Sequence, residues 1–472
     1  MVFSSTLFLL YFLPVFLFIY HIVPRSWKNY VILLSSIIFY AWGAPKFLFV
    51  ILAAIIITFY LVRVISHTDE IKKKKWLAFI AIFVNLGLLA YFKYANFFVD
   101  SVNFLISSFG FKPMKWIEVA LPIGISFYAF HSVTYVIDVY RRVHKPFDKL
   151  TNYMLYIMAF PHMIAGPIVR FNTIADQIVS REETIDDKLL GFYRFSIGLA
   201  KKVLIANVMA SQADLIFNGN ILELSTPNAW LGMVAYTFQI YFDFSGYSDM
   251  AIGLALMMGL KFPENFDMPY TSKSITEFWR RWHITLGLFM KDYLYIPLGG
   301  NRVNKRRMYF NLWIVFLISG LWHGASWTFV IWGAYHGLFL ILDKMFMLKF
   351  LKKIGSLAST ILTFLIVMIG WVLFRSDTFD FAVKYIGKLF SFTTCQDFIP
   401  MPAFTIMLLI SVVFAFFTSF KYGNKIKDFF FNKSIYTTKQ HIYLTLMSFV
   451  LFFLSVTFVV SSDFNPFIYF RF

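Results

Sequence analysis

Between Arg306-Arg307 and Asp343-Lys344 the chain runs from Met308 to Leu342 without one Asp, Glu, Lys or Arg. A bilayer crossing takes about 20 apolar residues at about 1.5 Å per residue, so this run is too long for one span. Both flanks are basic, with Lys349, Lys352 and Lys353 beyond, and short basic loops mark the cytoplasmic side. A hairpin of two helices that crosses and returns satisfies these signs, with its turn near Gly324-Ala325-Ser326. A chain built around such a hairpin is a membrane protein, not a soluble domain.

The rest of the sequence agrees. It is 59% hydrophobic and only 14% charged, where a soluble domain is about a quarter charged. Apolar runs of about 17–25 residues recur, which is helix length for a bilayer. The expected fold class is therefore an all-α polytopic membrane protein. Loop charge gives about 11–12 crossings with both termini outside. Leu7 to Tyr20 reads as a retained span, because no basic residue precedes it. The net charge of +18 sits in short loops and reads as a topology signal, not as a nucleic-acid surface. Residues 150–200 do not read as clean crossings, since Pro161 and Pro167 interrupt them. A re-entrant or surface-lying segment fits there. Residues 261–307, rich in Lys and Arg with aromatics between, read as interfacial helices on the inner face. The two longest outer loops are expected near Phe92 to Ala120 and Arg375 to Met401. We divide the chain into N-terminal spans (1–145), a core with the hairpin (146–354) and C-terminal spans (355–472).

Polar groups inside the apolar runs mark where chemistry can sit, because each is costly to bury in a bilayer. The hairpin holds Ser-Gly-Leu-Trp-His-Gly-Ala-Ser-Trp, Ser319 to Trp327, and then Trp-Gly-Ala-Tyr-His-Gly, Trp332 to Gly337. His323 lies about 22 Å along its helix, at membrane depth. Without a carboxylate partner a buried imidazole is neutral, the state a general base needs. His336 is the second histidine of the hairpin. His283 closes Glu-Phe-Trp-Arg-Arg-Trp-His, a segment that also reads as an interfacial helix with snorkelling Arg280 and Arg281. Asp243 and Asp249 interrupt an apolar span and can bond a histidine or a guanidinium, or serve as a structural buried pair. His131 and Asp138 share one helix face, and a salt bridge to Arg141 or Arg142 is expected for Asp138. His162 reads as a loop residue. Cys395, the single cysteine, has no basic neighbour and is not read as a nucleophile. No Cys/His metal spacing is present, so no metal is expected.

Several segments in order resemble the membrane-bound O-acyltransferase family, and its bacterial alginate O-acetylase branch in particular. They are Leu-Pro-Ile-Gly-Ile-Ser-Phe-Tyr-Ala-Phe (121–130), Phe-Pro-His-Met-Ile-Ala-Gly-Pro-Ile-Val-Arg (160–170), Phe-Asp-Phe-Ser-Gly-Tyr-Ser-Asp (242–249), Pro-Glu-Asn-Phe (263–266), Phe-Trp-Arg-Arg-Trp-His (278–283) and Leu-Trp-His-Gly (321–324). His162 stands where the branch is expected to carry Gln. The resemblance implies a ring of helices around a central tunnel, with His323 as catalytic histidine and His283 as the second active-site histidine. It implies an acetyltransferase that draws on cytoplasmic acetyl-CoA and serves an extracytoplasmic polysaccharide through a partner acetyltransferase or acceptor protein. The implied location is the cytoplasmic (inner) membrane of a bacterium.

On that reading, Arg170, Arg280, Arg281, Arg302 and Arg306 are the candidate phosphate contacts, since guanidinium suits bidentate binding. Trp322 and Trp327 are candidate tunnel walls, and Ser319 is a candidate oxyanion donor. Asp243, Asp249 and His336 are supporting residues. Two alternatives stay open. One is a teichoic-acid D-alanyl transferase fed by an acyl carrier protein. The more remote one is a transporter, although no repeated halves with matched broken helices are visible.

Overall fold

The computed structural model describes residues 2–394, 400, 402–433, 435–462 and 464–467. Cys395 lies outside the described residues. Among them the regular elements are all helical, with one isolated antiparallel bridge between Phe266 and Trp282. The chain packs as two compact units. The first is Met1–Glu183 with Met258–Phe262, and the second is Thr184–Met257 with Pro263–Phe472. The break after Glu183 falls inside the 146–354 stretch.

Six helices among the described residues are long and apolar enough to cross a membrane: Pro45–His67, Ile71–Ser108, Trp327–Ile354, Ser356–Arg375, Pro402–Ser419 and Thr438–Ser461. The other expected crossings are shorter or more polar helices. Lys28–Gly43 and Ile125–Tyr140 each have 16 residues. The 32-residue helix Thr226–Met257 carries Asp243 and Asp249. Hydropathy undercounts such helices, because their polar side chains face protein rather than lipid. One expected outer loop is corrected. Residues 92–108 continue the helix that begins at Ile71, and Asn96 and Asn103 pin the chain that follows to it. Asn96 Oδ1 accepts from Trp116 Nε1 (2.9 Å) and Val119 N (3.0 Å), and Asn103 Oδ1 accepts from Met114 N (2.7 Å). The other, after Arg375, contains the helix Phe379–Leu389.

In the first unit, the proline-broken segment is buried in protein, as broken backbone at membrane depth requires. Phe160 to Met163 form one short helical turn, and all four are buried. The helix Ile125–Tyr140, α1, supplies the missing acceptors from a single stripe. His131 Nε2 accepts from Val169 N (3.2 Å), Thr134 Oγ1 from Phe171 N (3.1 Å) and Asp138 Oδ2 from Asn172 N (3.2 Å). His162 bonds the Tyr156 carbonyl at 2.7 Å, and its ring stands 4.7 Å from that of His131. These two histidines hold a backbone together, and His162 is a buried anchor rather than a loop residue.

The second unit is organised on two helices in close backbone contact, Ile185–Ala200 (α2) and Thr226–Met257 (α3). A Cβ added at Gly191 would lie 2.6 Å from the Gly253 carbonyl, and one at Gly198 would lie 2.6 Å from that of Gly246. Two glycine pairs, seven residues apart on each helix, therefore permit an approach that no side chain allows. Charge crosses the same seam. Asp249 takes Arg194 at 2.8 Å and Lys201 at 2.6 Å, Arg194 also takes Glu264 at 2.5 Å, and Asp243 takes Lys202 at 2.9 Å.

Candidate active site

The uncharged run folds as the expected hairpin: α6, Lys305–His323, and α7, Trp327–Leu342. Two short helices precede it: α4, Ile275–Arg281, and α5, Ile284–Met290. Glycine brings the two arms together. A Cβ at Gly320 would lie 2.2 Å from the Phe329 carbonyl, and one at Gly333 would lie 2.3 Å from that of Phe316. Gly324 is pressed against the Phe329 ring, where an added Cβ would be 2.1 Å away. This explains the residue after His323: a side chain there would prise open the turn that ends α6.

His323 is the last residue of α6 and is 7% exposed. Its ring is boxed by Trp322 (5.0 Å between centroids), Trp332 (5.2 Å) and Phe374 (5.3 Å) of the helix Ser356–Arg375, α8. His283 faces it across a centroid distance of 6.3 Å.

His283 is held by an unusual stretch of backbone. It joins α4 to α5 with φ 45° and ψ 52°, the left-handed region that few non-glycine residues enter. The Pro-Glu-Asn-Phe segment pays for that conformation. Asp267 N donates to Arg281 O at 2.9 Å and Ile284 N donates to Asn265 O at 3.0 Å, on either side of the Phe266–Trp282 bridge. The buried Asn265 side chain completes the clamp. Its Oδ1 lies 3.1 Å from His283 Nδ1, 2.8 Å from Thr285 Oγ1 and 3.3 Å from Thr285 N, while its Nδ2 donates to Ser248 Oγ at 3.1 Å. Burial, with His323 adding to it, pushes the His283 imidazole well below its ordinary pKa, so the ring is neutral.

Two cavities flank the last turn of α6. One, of about 450 Å³, is lined by His283, Ser319, Arg280, Lys291, Trp279 and Tyr295 among others. The second, of about 520 Å³, is lined by Gly324, Ser326, Phe374, Asn218, Arg375 and Asp377 among others. Ser319 stands one turn before His323 and Gly324 directly after it. His323 itself lines neither space and sits on the chain between Ser319, which lines the first, and Gly324, which lines the second.

The remaining sequence candidates divide. Arg280 is exposed and lines the first cavity. Arg281 is engaged elsewhere, with Glu277 at 2.9 Å and Asp267 at 3.6 Å. Arg302 and Arg306 are exposed but do not line that cavity, and Arg170 belongs to the first unit. Trp322 touches both histidines, at 5.0 and 6.1 Å. Trp327 does not join them: it is 59% exposed. Five residues along the helix it starts, at about 100° per residue, Trp332 faces the other way and forms the wall instead. Asp243 meets Lys202, and Asp249 meets Arg194 and Lys201. His336 is fully buried among Trp279 (5.0 Å), Trp332 (5.1 Å) and Trp371 (6.4 Å). Sequence reasoning missed Asn265, Thr285, Lys291, Trp332 and Phe374. Only Asn265 carried a signal, its place in the Pro-Glu-Asn-Phe segment. Among the described residues no three His, Cys, Asp or Glu side chains converge as metal ligands do.

Residues 149–376 match the membrane-bound O-acyltransferase family. The whole chain aligns with the whole of a probable alginate O-acetylase of Pseudomonas putida at 40% identity. A peptidoglycan O-acetyltransferase of Helicobacter pylori is 36% identical over 81% of this chain and 79% of its own length. A teichoic acid D-alanyltransferase of Bacillus subtilis is 29% identical over 54% of this chain and 69% of its own length.

Proposed function

This chain belongs to the membrane-bound O-acyltransferase family, and on that premise we propose that it is the membrane O-acetyltransferase of a polysaccharide-modifying system, with acetyl-CoA as donor. The observation that carries the reading is the pair His283 and His323, 6.3 Å apart, at the turn between two cavities. Identity to O-acetylases extends over more of the chain than identity to D-alanyltransferases, which favours acetyl over D-alanyl.

The 450 Å³ cavity suits a coenzyme A donor. Its rim carries Arg280 and Lys291 for phosphate, and its wall holds Leu286, Leu288, Leu312 and Val315 for an uncharged arm. The basic rim belongs to the cytoplasmic side by the loop-charge rule, which sets both termini outside, in the bacterial inner membrane. The acceptor hydroxyl enters from the cavity at Gly324 and Arg375. His323 removes its proton as the oxygen attacks the thioester carbon. The carbon–sulfur bond breaks, and the sulfur takes the proton. A positioned base contributes about 10²–10⁴ in rate, and Trp322, Trp332 and Phe374 keep water from the ring. Ser319, on the donor side one turn from His323, is a candidate donor to the oxyanion.

The test is transfer by the purified chain from acetyl-labelled CoA to a hydroxyl acceptor. Wild type is expected to release free CoA in step with acetyl ester. Label that appears with an acyl-carrier-bound D-alanyl donor and not with acetyl-CoA would move the chain to the D-alanyl reading.

A further inference from the structure

Asn265 decides which nitrogen of His283 holds the proton. The backbone N–H of Thr285 can only donate, and the Asn265 atom that faces it is therefore the amide oxygen. That same oxygen lies 3.1 Å from His283 Nδ1 and 2.8 Å from Thr285 Oγ1. A bare Nδ1 would set two lone pairs against each other there, so Nδ1 carries the hydrogen. In that orientation the Asn265 NH₂ donates to Ser248 Oγ at 3.1 Å.

We infer that Asn265 is a positioning residue that fixes His283 as the Nδ1–H tautomer and makes it a proton acceptor through Nε2. The assignment removes one role and sets another. A neutral His283 with a bare Nε2 cannot donate a hydrogen bond to the oxyanion of the tetrahedral intermediate. It can accept one from an N–H or O–H group in the donor cavity, because Nδ1 is turned into the wall against a fully buried partner. It can also hold the hydroxyl proton in transit, between its removal at oxygen and its arrival at sulfur. The tautomer stands on the hydrogen bonds alone; its part in transfer rests on the acetyltransferase reading.

The direct test is ¹⁵N solid-state NMR of the full chain in lipid with labelled histidine, His283 being assigned by its disappearance in H283Q. The expected signature is a protonated Nδ1 and a bare Nε2; an Nε2–H tautomer overturns the inference. Two variants read the consequence. Asn265→Asp keeps an acceptor for Nδ1–H and both Thr285 donors but adds negative charge beside the ring. That favours the imidazolium, so the acidic limb of the kcat–pH profile moves to higher pH. The other titratable groups facing His283 are His323 of the hairpin and Arg280, Lys291 and Tyr295 around the shared cavity, all unchanged by the substitution. Asn265→Leu removes the acceptor and is expected to lower kcat on the order of 10²-fold, inside the range a base supplies, with KM for acetyl-CoA little changed. A pH profile of N265D that superimposes on wild type also overturns the inference. Misfolding of either variant leaves the wild-type spectrum to decide. Failure to transfer from acetyl-CoA at all sinks the functional reading and leaves the tautomer intact.

Discussion

Trp332 stands edge-on to His323, with centroids 5.2 Å apart and ring planes at 88°, and it meets His336 from its other side at 5.1 Å. The indole thus separates the two histidines of the hairpin. The two rings differ in what surrounds them. His323 faces His283 and the turn between the cavities. His336 is sealed among three indoles, and neither of its ring nitrogens has a hydrogen-bond partner among the described residues.

That difference makes His336 testable first. Burying a polar group unsatisfied costs about 1–3 kcal/mol, and an apolar replacement of similar shape relieves that cost. His336→Leu is expected to keep transfer within a few-fold of wild type and to hold or raise the melting temperature of the purified chain. Loss of transfer with folding intact would instead make His336 part of the proton path.

His323→Ala and His323→Gln are expected to lose transfer while insertion and stability persist. The ring sits at the turn between the cavities, with His283 facing it at 6.3 Å. Turnover above about a tenth of wild type would contradict a base that supplies 10²–10⁴.

The two adjacent arginines are expected to separate. Arg280 lines the donor cavity, so Arg280→Ala raises KM for acetyl-CoA with little effect on the melting temperature. Arg281 ties Glu277 to Asp267 beside the His283 clamp. Its replacement lowers stability and kcat and leaves donor binding near wild type. A CoA titration beside a melting curve distinguishes them. Equal effects of both variants on donor binding would return the pair to a joint phosphate contact.

The Lys202–Asp243 pair is buried on both sides, each 2% exposed at 2.9 Å. Removing one partner of such a pair strands a charge and costs about 3–5 kcal/mol, whereas replacing both with apolar groups is often neutral. Lys202→Met is expected to depress the melting temperature sharply, and the double variant with Asp243→Leu to recover only part of it, because Lys202 Nζ also donates to Asn207 Oδ1 at 2.7 Å and to the Pro466 carbonyl. A double variant as poor as the worse single one would mean that Asp243 serves more than this pair. Glycine offers a parallel check: Gly198→Ala sets a Cβ 2.6 Å from a backbone carbonyl and should loosen α2 from α3.

The hairpin was legible because an uncharged run bounded by basic residues has only one economical path through a bilayer. The histidines were legible because such rings are rare there. What escaped depends on chain crossings that spacing does not encode. Asn265 and His283 lie 18 residues apart, separated by loop, a three-residue helical turn and the seven-residue α4, too little regular structure to encode their meeting. Arg281 looked equivalent to Arg280 until Asp267 was brought beside it. Trp327 was the expected wall and Trp332 was not, and the helical angle between them turns Trp332 toward His323 instead. The expected crossings came from loop charge, and hydropathy picks out only six of the helices among the described residues, because it is blind to polar stripes such as His131, Thr134 and Asp138 that serve buried backbone. The same stripe shows why a polar residue in a span need not be catalytic.

The last prediction concerns the acceptor. The cavity beyond Gly324 is rimmed by Asn218, Arg375, Ser376 and Asp377. The rim is tied across by Arg375 Nη2, which donates to Asn218 Oδ1 at 3.2 Å and to Asp214 Oδ1 at 3.0 Å. A sugar polymer needs an extended groove of aromatics and hydrogen-bond donors, and a compact polar mouth of about 520 Å³ is not one. It is better matched to a single hydroxyl brought by a partner protein, which then serves the polymer. We therefore expect a relay, in which acetyl-CoA is consumed from the Arg280 side and acetyl leaves at the Arg375 mouth only when such a partner is docked. The purified chain in vesicles, with acetyl-CoA on one side and polymer on the other, should acetylate nothing until an extracytoplasmic acetyltransferase is added. Polymer acetylated without that second protein would make this chain a complete polysaccharide acetylase.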